Sequence, residues 1–151
     1  MSPERAASDT SIRDAQPADT PVIVELIREL ARTEDVDSGV TPELVADYEA
    51  RDDSGILVAE LGGAVVGLLS WFVRPGLFHG GHWGYIDELV VTAAAQGQGI
   101  GDALMSAAMG RFAAAGCVEV AVSTVFGNDR AAALYRKHGL VDEALQLEKH
   151  F

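Results

Sequence analysis

The chain has 151 residues, the size of one ordinary domain, with 48% hydrophobic and 23% charged residues, which is a soluble globular composition. Its longest apolar runs fall far short of the roughly 20 residues a membrane span needs, so no membrane partner is expected. A net charge of −12 argues against a nucleic-acid partner, which would call for basic patches, and leaves room for a cationic one.

Residues 1–10 are small, polar and without periodicity, and read as a disordered tail. They contain no apolar h-region, so no signal peptide is expected. A single domain is expected over 11–151. Ser11-Ile12-Arg13 reads as a short edge strand. Asp19-Thr20-Pro21 is a helix start, and Val22, Ile23, Leu26, Ile27 and Leu30 give that helix an apolar face to about Ala31. Thr41-Pro42-Glu43 opens a second helix, with Leu44, Val45 and Tyr48 marking its buried side. The stretch 29–53 is rich in Asp and Glu, read either as a solvated surface or as an acidic lip around a substrate entrance.

From Gly55 the apolar period shortens to that of strands. Ile56–Glu60 and Ala64–Val73 are joined by Leu61-Gly62-Gly63, a hairpin turn, and Arg74-Pro75-Gly76 ends the second strand. Leu77–Trp83 reads as a loop carrying His79, His82 and Trp83. These are too few and wrongly spaced for a structural zinc site, and no metal is expected. Tyr85–Val91 is the third strand, interrupted by the acidic pair Asp87 and Glu88. Period-2 alternation places Tyr85, Asp87, Leu89 and Val91 on one face and Glu88 and Val90 on the other, so only one carboxylate enters a given site unless a bulge intervenes.

A glycine turn follows, then a helix from Ile100 to about Ala115, capped by Gly116. Val118–Val122 is a strand; the single cysteine, Cys117, rules out an internal disulfide, and a cytoplasmic location is expected. Asn128-Asp129 starts a helix that Gly139 ends, and Ala144–Glu148 alternates as a closing strand. The fold class is therefore mixed α/β: an antiparallel meander, a central strand, a glycine loop and helix, then a β-α-β segment.

Strand, glycine turn and helix together aim backbone N–H groups and a helix dipole at an anion. A phosphate-loop NTPase would need Lys-Ser/Thr after the last glycine, where this chain has Asp102-Ala103. A dinucleotide fingerprint needs G-x-G-x-x-G after the first strand of a βαβ unit, and here a meander precedes G-x-G-x-G.

Gln96-Gly97-Gln98-Gly99-Ile100-Gly101 matches Q/R-x-x-G-x-G/A, and Asn128, Ala131, Leu134, Tyr135 and Gly139 match N-x-x-A-x-x-L-Y-x-x-x-G. In both motifs, and in nearly all of Ser11–Phe151, the chain resembles the GNAT family of N-acetyltransferases. The resemblance implies acetyl-CoA as cosubstrate and a small primary amine as acceptor, with direct transfer in a ternary complex, and the acid-rich surface favours a cationic acceptor. It implies backbone contacts from Leu89, Val90 and Val91 to the pantetheine arm. The N–H groups of Gly97, Gln98, Gly99, Ile100, Gly101 and Asp102 would cradle the pyrophosphate, and Asn128 would contact the pantetheine. Tyr135 would protonate the leaving thiolate. Asp87 would serve as base or amine-orienting group, with Glu88 second. Gln96 stands where the family more often has Arg, which loses one charge on the phosphates. A homodimer is suggested by the resemblance, although no apolar stripe demands one. Two other readings stay open: an acetyltransferase for protein N-termini or lysines, and a non-catalytic acyl-CoA sensor.

Overall fold

The computed structural model describes residues 9–151, so most of the expected tail lies outside the described residues. One mixed sheet of five strands forms the middle layer, in the order β1 (Thr10–Asp14), β2 (Ser54–Leu61), β3 (Ala64–Gly76), β4 (Gly81–Val91) and β5 (Cys117–Val122). Helices α1 (Thr20–Thr33) and α2 (Pro42–Glu49) separate β1 from β2; α3 (Ile100–Ala114) separates β4 from β5, and α4 (Asp129–Lys137) follows β5.

Strands β1 to β4 are antiparallel neighbours, while β5 returns parallel to β4 after the crossover through α3. The β2–β3 turn is tight because Gly62 and Gly63 both take positive φ, at 60° and 82°, as a two-residue hairpin with primed geometry needs.

Both sheet faces are covered, and the pattern of β2 shows why. Ile56, Leu57, Val58 and Ala59 are all buried, but alternate residues enter different cores. Leu57 and Ala59 pack with Leu104, Met105 and Phe112 of α3, while Ile56 and Val58 pack with Ile23, Val24 and Leu26 of α1 and Val45 of α2. On the α3 side Gly84 lets the Phe112 ring lie on the strand, where a Cβ would come within 2.4 Å of its Cδ1.

Three expectations are corrected. Leu77–Trp83 is not wholly a loop, since β4 begins at Gly81 and pairs His82 and Trp83 with β3. Leu44 is 54% exposed instead of facing the core. Ala144–Glu148 forms no strand; Leu145 and Leu147 are 73% and 84% exposed. Alternation specifies a strand only where an apolar surface receives one of its faces, and the two leucines meet none.

Candidate active site

The site is built around a defect in β4. Trp71 of β3 pairs with Ile86 and its neighbour Ser70 pairs with Glu88, which leaves Asp87 as an extra residue, a β-bulge. The expected alternation holds from Glu88 to Val91, but the bulge resets it before Glu88 and puts Ile86 on the face of Leu89 and Val91. Ile86, Leu89 and Val91 all pack toward α3, whereas Val90 enters the α1/α2 core and Glu88 lies on that same side. The Tyr48 hydroxyl of α2 donates to the Trp71 carbonyl at 3.1 Å and reaches Asp87 Oδ2 at 3.3 Å. Both carboxylates of the pair therefore serve the α2 side.

Glu88 is fixed by Ser70, whose hydroxyl donates to the carboxylate and accepts the Glu88 N–H at 2.9 Å. Burial raises the pKa of Glu88, assisted by the charge of Asp87 and opposed by the Ser70 hydrogen bond. Burial also raises that of Asp87, against the Tyr48 hydrogen bond. The phenol of Tyr48 is pushed up by burial and then by the two carboxylates, so it stays a proton donor. Tyr48 and Ser70 were not singled out as site residues from the sequence. The signal was an acidic pair in a strand covered on both faces: strict alternation would bury one carboxylate under α3.

A cavity of about 360 Å³ lies between α1, the α1–α2 connection, α2 and the sheet. Ile27, Val40, Leu44 and Leu68 form part of its wall, and Tyr48, Ser70 and Glu88 are its polar members at the sheet. The exposed face of Leu44 is thus a cavity wall.

The other flank of β4 is open. Pairing with β5 stops at Ile86–Val122, next to the bulge, and residues 87–91 have no β5 partner. Thr92 donates to Val66 across the β3 ladder, so the alternation of an antiparallel pair turns the polar groups of Leu89 and Val91 to the open edge and those of Val90 toward β3. The Val91 carbonyl accepts from Gln96 Nε2 at 2.9 Å, leaving the Leu89 groups and the Val91 N–H at the edge.

Beyond this edge the chain passes through the short helical turn Ala93–Ala95 into the glycine turn. Gly97 and Gly99 have φ of 78° and 79°, and no atom lies within 4 Å of where their Cβ atoms would be. The six N–H groups from Gly97 to Asp102 donate to no other group among the described residues. A turn with a clear space in front, unspent donors and the N-terminus of a 15-residue helix behind it fits a phosphate-bearing ligand. Gly101 has a different role: its Cβ would meet Leu134 of α4 at 3.2 Å, so its absence lets α4 pack closely. The Asp102 carboxylate would oppose an anion, but Lys137 Nζ at 2.9 Å and His138 Nε2 at 2.6 Å hold it, Lys137 first, and keep its pKa low.

The second motif supplies α4. Asn128 Oδ1 caps the helix by accepting the Ala131 N–H at 3.2 Å, which leaves its amide nitrogen without a partner among the described residues. Tyr135 is 8% exposed and packs in the α3-side core with Ile86 and Leu104, yet its hydroxyl makes no hydrogen bond to a described residue. Desolvation raises its pKa, so it is a neutral phenol throughout the physiological range. Of the loop histidines, His79 pairs with Glu119 and His82 stays exposed. Among the described residues no cluster of three or more His, Cys, Asp or Glu is placed to hold a metal, and no helix is long and apolar enough to cross a membrane.

The family model of the acetyltransferase (GNAT) family matches residues 23–140. The chain belongs to the GNAT family. Members of this family are acyl-CoA-dependent transferases that use acetyl-CoA as cosubstrate, and the matched span contains the bulge, the open edge, the glycine turn and Tyr135. Among curated proteins, none matches this sequence. Solved structures do match in fold. A transcriptional regulator from Bacillus halodurans C-125 is 24% identical with a TM-score of 0.84, covering 94% of this chain and 99% of its own. An aminoglycoside acetyltransferase from an uncultured soil metagenomic sample is 24% identical at 0.79, covering 95% and 96%. Glucosamine-6-phosphate N-acetyltransferase from Arabidopsis thaliana is 23% identical at 0.76, covering 94% and 98%. At these identities the likeness to this GNAT chain is one of fold.

Proposed function

We propose that this chain is an acetyl-CoA-dependent N-acetyltransferase that acetylates the primary amine of a small, cationic acceptor in a ternary complex. The observation that carries the reading is the run of six unspent N–H groups at the head of α3, beside an open strand edge. Gly97 to Asp102 would hold the pyrophosphate, while the edge groups of Leu89 and Val91 would receive the pantetheine arm as a short added strand, with the Asn128 amide nearby. Acetyl-CoA supplies an acetyl group on a thioester, whose carbonyl an edge N–H can polarise.

An alkylammonium has a pKa of about 10 and cannot attack until it loses a proton. Glu88 or Asp87, each with a pKa raised by burial, takes that proton. The nitrogen then forms the amide bond, the C–S bond breaks, and Tyr135 donates its proton to the sulfur. Two protons leave the nitrogen in all; one replaces the proton Tyr135 gave, and the other goes to solvent through the carboxylates.

The test is thiol release from acetyl-CoA across a panel of amines, with CoA binding measured by calorimetry. Thiol release with a small amine supports the reading. Binding without turnover on any amine points to a sensor, preference for peptides to a protein acetyltransferase, and no CoA binding refutes it.

A further inference from the structure

The cavity beside the acidic pair speaks to the acceptor, resting on the acetyltransferase reading. Its volume, about 360 Å³, lies within the usual range for small-ligand pockets, about 300–1,000 Å³. Away from the sheet its wall is aliphatic, with Ile27, Val40, Leu44 and Val45 from α1, the connection and α2. Ser38 brings a hydroxyl, but that oxygen already accepts the Val40 N–H at 3.1 Å. At the sheet end the Tyr48 and Ser70 hydroxyls are engaged with Trp71, Asp87 and Glu88, so the Glu88 carboxylate is the ionic partner the cavity offers. The acidic residues Glu43 and Asp47 of α2 are exposed and do not line it.

We propose that the acceptor is a primary amine carried on an apolar chain or ring, its body filling this cavity and its nitrogen against Glu88. A polyhydroxylated or multiply charged amine would press hydroxyls or ammonium groups on aliphatic walls, each unpaired group costing on the order of tenfold or more in affinity. The acidic exterior draws the single cation in, and the aliphatic wall favours an apolar body attached to it.

The experiment measures kcat/KM at saturating acetyl-CoA for linear amines from ethyl to octyl, for phenethylamine, for spermidine and for an aminoglycoside. The expected result is a rise of about fourfold per methylene until the cavity is full, with phenethylamine above both polycations. Leu44→Ala should reduce that rise and Leu44→Asp flatten it; Leu44 is half-exposed, so both variants should fold. A flat length series, or preference for spermidine or the aminoglycoside, overturns the proposal while leaving the acetyltransferase reading intact. Absence of CoA binding sinks that reading instead, and this one with it.

A different contact carries a second inference. Gln96 brings no charge to the glycine turn, but its Oε1 accepts from Arg130 Nη1 at 3.1 Å. Arg130 lies in the first turn of α4 and pairs with no carboxylate among the described residues, whereas Lys137 is spent on Asp102. We infer that Arg130 binds a phosphate of acetyl-CoA, its remaining guanidinium donors supplying the charge that position 96 lacks. Arg130→Ala should weaken CoA binding about tenfold at low salt, with the difference narrowing at high salt. Use of acetyl-pantetheine, which lacks phosphates, should not change, and Gln96→Arg in the Arg130→Ala background should restore CoA affinity. Equal losses with both thioesters, or unchanged CoA affinity, would overturn it.

Discussion

Glu88→Gln separates what the acidic pair does for the reaction from what it costs the fold. The replacement keeps the size of the side chain and can still accept from Ser70, so it removes a charge and little else. At pH 7 about one alkylamine in a thousand is neutral, so with Glu88 as the proposed base its loss should lower kcat/KM by about 10²–10³. Toward pH 10 the amine loses its proton to water, and the deficit should shrink toward severalfold.

Stability should move the opposite way. The folded pKa of Glu88 is raised by burial and by Asp87, so its contribution favours the fold below the unfolded pKa of about 4.3 and is lost as pH rises through the folded value. At neutral pH the buried charge is a cost of about 1.4 kcal/mol for each tenfold elevation of proton affinity. The variant should therefore melt higher than wild type at pH 7, by roughly 4 °C per such elevation, and at the same temperature near pH 3. Thiol-release assays from pH 6 to 10 and melting curves at pH 3 and 7 provide the comparison. An equal rate loss at all pH values, or a lower melting temperature at pH 7, refutes the reasoning.

Tyr135→Phe should reduce kcat about a hundredfold, since a thiol with a pKa of about 8.5 is a fair leaving group without help, while CoA affinity measured by calorimetry stays within about twofold. Gly84→Ala drives a Cβ to 2.4 Å from the Phe112 ring, and should destabilise by about 1–3 kcal/mol in a urea melt; Gly84→Ala with Phe112→Leu should recover part of that loss. Asp19 accepts from Arg13 at 2.7 and 3.0 Å and from the Gln16 N–H at 2.7 Å, and Arg13 chiefly holds its pKa low. Its contribution is therefore present above the unfolded pKa and lost as pH falls through the folded one. Asp19→Asn should cost about 1.5–3 kcal/mol at pH 7, fading below about pH 4, as denaturant melts at both pH values would register.

The glycine turn and the cap of α4 were legible from the chain because their determinants are local. A glycine that must take positive φ, an Asn that caps a helix and a Tyr two turns later carry their geometry within a few residues. The cavity beside the acidic pair was not, because it depends on where distant pieces meet. Leu44 looked like a core residue by helical spacing, and only the docking of α2 beside the α1–α2 connection makes it a cavity wall. Leu145 and Leu147 failed for the reverse reason: the alternation was there, but no apolar surface received it. The acidic pair lies between these cases. Period 2 gave Glu88 the face of Val90, as observed, but set Asp87 on the opposite face; the extra residue resets the alternation there, and no periodicity marks where such a residue falls.

The extra residue also links the two halves of the site. A bulge bends its strand and sharpens its twist, and β4 parts from β5 at the residue before Asp87. The bulge thus sits where the edge begins, with the Leu89 groups and the Val91 N–H free for the thioester arm proposed above, and it lets Asp87 and Glu88 serve the α2 side where the cavity lies. Strand β5 itself ends at Val122, the partner of Ile86, so the two strands part at the level of the bulge. The glycine turn can hold an anion by itself. What would make it part of an acyl-transfer site, on the function proposed above, is a strand that delivers an open edge on one flank and paired acids near the other.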